Sequence, residues 1–384
     1  MEPGRNRSPS AVARVASLDL VRGVVMVLMA IDHVRVYAGV PAGAPTPGVF
    51  FTRWITHFVA PGFAFFAGTS AYLHGRKLGN RNALARFLLT RGAWLVLLEL
   101  TVLRVAWTFN FDFAHYMLAG VIWMLGWCMI LLAGAIYLPT PVVGAIGVAI
   151  IVLHNLIPAS GTHALLKILY LGGAVDLGFA PLLVLYVLVP WIGVMMAGYA
   201  FGTVMTRPTG QRRALCLRLG MAVTLTFLAL RALDLYGDPR PWHAQDGIPA
   251  PLAFINTTKY PASLSFLLMT LGPLLILLAF AEGWHGRVAR WLETFGRVPL
   301  FYYLLHIPLI HVAACVVSLI REGAVNPWLF GNHPLAPPEV PEGYRWSLPL
   351  LYLVWAVCVA ALYFPCRWFA DLRARRRSRW LSYL

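Results

Sequence analysis

Residues 17–37 read SLDLVRGVVMVLMAIDHVRVY, a run apolar enough to cross a bilayer, yet it carries Asp19, Arg22, Asp32, His33 and Arg35. Ionisable groups within a span are costly, so they face a protein interior or a watery cavity rather than lipid. Arg22 and His33 are eleven residues apart. Eleven steps of about 100° return to within roughly 20° of the start, so both lie on one helix face, about 16 Å apart along the axis. Asp19 lies close to that face. One stripe therefore sets a cation towards one membrane surface and an imidazole towards the other. The competing reading is that these charges only pair with neighbouring helices.

The rest of the chain has the same character. Of 384 residues, 59% are hydrophobic and 12% charged, and the mean hydropathy is +0.70. A soluble chain carries roughly 25% charged residues, so the expected fold is an all-α polytopic membrane protein. The net charge of +16 does not indicate nucleic acid, because the basic residues fall in short clusters between apolar runs. Arginine supplies 28 of them and lysine only 3. The five cysteines (Cys128, Cys216, Cys315, Cys358 and Cys366) are scattered, with neither a disulfide framework nor metal-ligand spacing. The first run is too long and too charged for a cleavable signal peptide.

Ten runs can span the bilayer: 15–39, 49–75, 87–109, 115–137, 140–157, 181–204, 215–236, 262–282, 296–320 and 347–370. Alternate connections are basic, with Arg76, Lys77, Arg81 and Arg86 in one, Arg207, Arg212, Arg213 and Arg218 in another, and Arg287 and Arg290 in a third. By the positive-inside rule both termini lie in the cytoplasm, which requires an even number of crossings. The expected organisation is a basic cytoplasmic arm over 1–14, one transmembrane domain over 15–372 and a basic tail over 373–384. The stretch 158–180 reads as a short re-entrant or surface helix. The Pro- and Trp-rich stretches 237–261 and 321–346 read as ordered caps over an outer mouth.

With this topology, most intramembrane polar groups fall in the outer half. Asp32 and His33 end the first run, and Arg53 and His57, four apart, share a face of the second. Glu99 and Arg104 lie in the third, Asn256, Lys259 and Tyr260 precede or open the eighth, and His306 is mid-way along the ninth. Asp19, Arg22 and Arg91 lie towards the cytoplasm. The pattern describes a polar cavity near the outer face with a basic approach from inside. Histidines near carboxylates suit general-base work on a hydroxyl or amine. The catalytic candidates are His33, His57 and His306, with Asp32 and Glu99. Asp32 points about 100° away from its neighbour, so another group must orient His33. Lys259, Tyr260, Arg53, Arg104 and Asn256 are candidates for holding substrate. His115, His154 and His311 read as structural. No metal motif, phosphate loop or serine-nucleophile elbow is present.

The stretch 17–33 resembles the first helix of integral-membrane acyltransferases, which carries an arginine and a histidine at this spacing. More particular are ITHFVAPGFAFFAGTSAYL (55–73), VLVPWIGVMMAGYAFG (187–202), NTTKYPASLSFLLMTLGP (256–273) and FGRVPLFYYLLHIPLIH (295–311). Together they resemble bacterial members of the heparan-alpha-glucosaminide N-acetyltransferase catalytic-domain family. The resemblance implies transfer of an acetyl or other acyl group from cytoplasmic acyl-CoA to a hydroxyl or amine on the far side of a bacterial cytoplasmic membrane. The acceptor would be a glycan, envelope component or small molecule. Arg22, with Asp19 and Arg91, would hold the donor, and His33 would be the base. One departure stands out: the connection PAGAPTPGVFFTRWIT (41–56) lacks the histidine that the lysosomal enzyme carries before its second helix. A proton-coupled transporter or a lipid or glycan flippase is the alternative use of such a cavity, although no inverted repeat accompanies it.

Overall fold

A computed structural model of the chain describes residues 15–43, 46–158, 160–244, 248–331, 339–376 and 381. The arm expected over 1–14 and the tail residues Arg377 and Arg379 lie outside the described residues, as do 332–338 of the expected outer cap.

Helix α1 (Ala16–Tyr37) is the axis of the molecule, contacted by six other α-helices among the described residues. Asp19 in its first turn and Arg35 in its last complement the helix dipole. The run expected as one helix over 49–75 is broken. Helix α2 (Pro47–Trp54) passes through a tight turn, Ile55–Phe58, into α3 (Val59–Leu78). Pro61 has no N–H to offer the carbonyl of His57, so the α-helical ladder lapses at that residue. Helix α4 (Arg81–Leu98) loosens into a π-helical turn, Glu99–Leu103, before the short α5 (Arg104–Thr108). Helices α6 (Val121–Ala135), α7 (Thr140–Leu153), α8 (Ala164–Leu166), α9 (Val189–Met205) and α10 (Thr209–Leu233) follow. Then come α11 (Ala250–Ile255), α12 (Leu264–Ala281), α13 (Arg287–Arg297), α14 (Pro299–Glu322) and α15 (Leu348–Arg375).

A helix falls within each of the ten apolar runs. Four of them, α10, α12, α14 and α15, are long and apolar enough to cross a membrane by length and composition. Their outward faces carry large apolar side chains, such as Leu225 and Leu228 on α10, Val316 and Leu319 on α14, and Leu353 and Val357 on α15. Such faces suit lipid rather than water.

Two features depart from the all-helical expectation. The run at 115–137 begins with a strand, β1 (Met117–Ala119), and the run at 181–204 begins with β3 (Pro181–Val184). β3 pairs in parallel with β1 and antiparallel with β2 (Gly173–Asp176), giving the order β1-β3-β2. The stretch 158–180 thus supplies a strand as well as α8. Gly172 and Gly173, at φ 76° and 90°, turn the chain out of the helix and into β2. The second departure is α13, expected only as a basic inner loop. It is amphipathic, burying Ala289, Leu292, Phe295 and Gly296 against α1 while Arg287 and Arg290 face out.

The helix pairs meet at glycines. α4 and α6 touch at Gly92 and Gly126, and a Cβ on either would stand 2.6 Å from the other's carbonyl oxygen. Gly147 and Gly193 play the same part for α7 and α9, and Gly220 and Gly272 for α10 and α12. In lipid, association relies on close packing of this kind, because tails compete equally for apolar side chains. Gly92→Val is expected to force α4 and α6 apart at a contact made of backbone, which cannot yield as a side chain can. A drop of several degrees in the thermal midpoint of the purified protein, beside an unchanged Gly134→Val control at a site with open space, is the expected result.

Candidate active site

Helices α1, α3, α4, α6 and α14, with the ends of α13 and α15, line a cavity of about 520 Å³. α1 contributes Leu18, Asp19, Arg22 and Met26, and α3 contributes Phe63, Ala67, Ser70, His74 and Lys77. Beyond the adjacent pair Leu18 and Asp19, each set advances by three or four residues, so each follows one helix face. The lining includes basic side chains, Lys77, Arg91, Arg297 and Arg373, and apolar ones, among them Met26, Phe63, Phe66, Leu95 and Leu125. Arg22 lines it too. It is steadied by Asp19 Oδ1 at 3.3 Å, by the carbonyl of Phe66 at 3.2 Å and by the Ser70 hydroxyl. Arg22, Asp19 and Arg91, expected to hold a donor, all line this one cavity.

Tyr303 also lines the cavity. Its ring packs edge-on against two imidazoles, 6.3 Å from His33 and 5.0 Å from His306 between centroids. Tyr303 is thus a wall shared by the cavity and a histidine pair. His33 Nδ1 lies 2.6 Å from His306 Nε2, and the rings stack at 4.7 Å. His306 Nδ1 faces the carbonyl of Tyr303 at 2.7 Å. A carbonyl only accepts, so His306 carries its proton on Nδ1 and, when neutral, accepts at Nε2. His33 must then donate from Nδ1, which leaves the lone pair of neutral His33 on Nε2. Among the described residues no hydrogen bond occupies that nitrogen. The arrangement sets the tautomer of His33 through a second histidine.

Asp32 does not orient His33. Its Oδ1 accepts from Arg35 Nε at 2.9 Å, and its Oδ2 lies 3.9 Å from Lys259 Nζ. Lys259 is buried and sits 5.2 Å from the ring of Tyr260, whose hydroxyl is 3.4 Å from that of Tyr186. Arg53 and His57 flank this group, close enough to Asp32 and Arg35 for their charges to be felt. The expected outer candidates Asp32, Arg53, His57, Lys259 and Tyr260 therefore form one cluster beside His33.

Other expected site residues are engaged with the backbone. Glu99, expected as a catalytic carboxylate, accepts from the backbone N–H groups of Ile122 and Trp123 at 2.8 and 3.1 Å. Its charge caps the start of α6, where the helix dipole favours an anion. Arg104, expected to hold substrate, spends its donors on the carbonyls of Tyr116 and Asp112, on Thr108 Oγ1 and on Asn110. It clamps the turn over 108–116. Asn256 ends α11, its carbonyl 3.5 Å from Arg231. The histidines read as structural also have plain positions: His311 is stacked on Tyr37 and Phe109, His154 is buried near Tyr170, and His115 is exposed. Among the described residues no group of three or more His, Cys, Asp or Glu is arranged to hold a metal.

The family model described as heparan-alpha-glucosaminide N-acetyltransferase, catalytic, matches residues 14–236. The chain belongs to this family. It is accordingly a member of a membrane acetyltransferase family, and its helices make it an integral membrane protein. The match runs from the start of α1 to the end of α10 and takes in His33 and most of the cavity wall. The segments 256–273 and 295–311, which carried part of the resemblance, fall beyond it. Among curated proteins, none matches the chain.

Tyr303 and Ser70 escaped the sequence reading. Tyr303 had a usable signal: it precedes His306 by three residues, one helical turn, in the run FYYLLH. Ser70 had none, because only the crossing of α3 and α1 brings it to Arg22.

Proposed function

We propose that the protein transfers an acetyl or other acyl group from cytoplasmic acyl-CoA to a hydroxyl or amine of an acceptor on the outer side. The reading rests chiefly on the cavity. Its lining combines Lys77, Arg91, Arg297 and Arg373 with apolar side chains and with Tyr303, the residue touching His33 and His306. Phosphates of the coenzyme suit the arginines and lysine, and the apolar walls suit its uncharged arm. Ten crossings with both termini in the cytoplasm complete the reading, supported by a helix within each run and by the alternation of basic connections. The bacterial cytoplasmic membrane is the compartment that this topology fits, and the described part of the domain expected over 15–372 then acts as one unit.

In the proposed step the acceptor oxygen or nitrogen attacks the thioester carbonyl carbon. Its proton passes to His33 Nε2, and His33 Nδ1–H strengthens its bond to His306 as charge develops. The C–S bond breaks, and the coenzyme thiolate takes the proton back from His33. His33 is the base, His306 a positioning residue, and Arg22 the link between basic mouth and apolar interior.

The test is release of free coenzyme thiol from acetyl-CoA by the purified protein in liposomes. Saturable, protein-dependent release that rises when a sugar acceptor is supplied on the opposite face is the expected result. Failure both to bind and to consume acetyl-CoA overturns the proposal in favour of transport through the same cavity.

A further inference from the structure

The outer cluster is lopsided in charge. Arg35, Arg53, Arg231, Arg240 and Lys259 stand there against Asp32, Asp234 and Asp238. Two of the carboxylates are fully engaged. Asp238 accepts from Thr258 and Ser263 with Arg231 nearby, and Asp234 accepts from the Trp242 backbone and faces His243. Asp32 gives its close bond to Arg35 and only a loose one to Lys259. Arg53 is left: among the described residues its half-buried guanidinium makes no hydrogen bond and no ion pair. A buried lysine and a half-buried arginine thus share too few anions, one residue along α1 from His33.

A second observation points the same way. His57, in the tight turn between α2 and α3, is 1% exposed, and neither ring nitrogen has a hydrogen-bond partner. Buried polar atoms are nearly always satisfied, so an orphaned ring is open to a partner that the protein itself does not supply; the ring of His154 is orphaned as well, and what sets His57 apart is the pair of cations beside it. Arg53 and Lys259 both lie within electrostatic reach of it. At the edge of the cluster Tyr260 is 39% exposed, an aromatic side chain of the kind on which a sugar ring packs.

We propose that this outer cluster is an acceptor site for an acidic acceptor, one whose carboxylate or phosphate is held by Arg53 and Lys259 while a hydroxyl beside it is presented to His33. A protonated amine is disfavoured by the same excess of cations. The inference rests on the acyltransferase reading for its chemistry but not for its binding site, and the two separate experimentally.

Four soluble probes suffice: glucuronate and glucose 6-phosphate as acids, glucose as the neutral match and glucosamine as the cation. With acetyl-CoA present, kcat/KM for the acids is expected to exceed that for glucose by about 10-fold or more, the scale of one charge-assisted contact, and glucosamine to be the poorest. Arg53→Gln should narrow that preference to within about 3-fold, with Lys259→Gln as the second variant should the first fold poorly. Raised salt should narrow it too. In parallel, thermal stabilisation of the purified protein is read with each probe and no acetyl-CoA. Stabilisation by both acids, lost in Arg53→Gln, supports the site even where no turnover occurs; that outcome would sink the acyltransferase reading instead. Stabilisation by glucose 6-phosphate alone assigns the site to phosphate groups, and by glucuronate alone to carboxylates. Equal or better use and binding of glucose or glucosamine overturns the proposal.

Discussion

Replacing His33 with glutamine is expected to lower acyl transfer by roughly three orders of magnitude, the middle of the range for a general base. Glutamine retains an N–H that can reach His306 Nε2, so the contact at 2.6 Å has a substitute. What it lacks is a basic lone pair at the position of Nε2. The loss should fall on kcat, with the KM for acetyl-CoA little changed, because His33 does not line the donor cavity. His306→Gln is expected to cost less, about 10- to 100-fold, since His306 acts by fixing a tautomer rather than by taking the proton. It should also shift the pH–rate profile, a change that a purely structural role would not produce. Thiol release measured across donor concentration and pH reads each of these. A His33→Gln enzyme within about fivefold of wild type would remove His33 from the chemistry.

The pairing that supports this result was only half legible. The spacing of Arg22 and His33 put both on one face of α1, and the structure has Arg22 in the cavity and His33 beyond it. That inference needed only helical geometry. The partner of His33 lies 273 residues away on α14, and no local pattern links two such positions. Depth assignment brought Asp32, Arg53, His57, Lys259 and Tyr260 into one cluster for a physical reason: costly groups gather where they can share neighbours. The same logic picked out Glu99 and Arg104, which the structure has bonded to backbone groups. A buried charge that caps a helix or clamps a turn looks, in sequence, like one that meets substrate, because both sit alone in an apolar run. The strands β1, β2 and β3 were hidden for a related reason. β1 and β3 are short and read as continuous apolar residues that merge with the helices they precede, while β2 has four residues, too few for its alternation to show. The tight turn at His57 has a local cause, since Pro61 four residues on removes the N–H that would have held it in the helix, although the apolar run over 49–75 reads as one span.

Filling the cavity should be nearly as damaging as removing the base, and by a different route. Ala67 lines the cavity from α3, between Phe63 and Ser70. An indole at this position, Ala67→Trp, projects into empty space, so the fold is expected to tolerate it better than an insertion into packed core. The donor path would be closed between the basic mouth and Tyr303. Activity with acetyl-CoA is then expected to fall by about 100-fold or more, with binding of acetyl-CoA lost in step, while the thermal midpoint stays near that of wild type. Arg22→Gln separates charge from space: the cavity stays open, and the KM for acetyl-CoA is expected to rise about 10-fold, the loss of one charge-assisted contact, with kcat changed less. The two variants bear on different parts of one claim. Full activity in Ala67→Trp would mean that the acyl group reaches the histidines without passing through this cavity, and His33 would then need another donor. Full activity there with a raised KM in Arg22→Gln would restrict the donor site to the mouth, with Arg22 as its innermost contact.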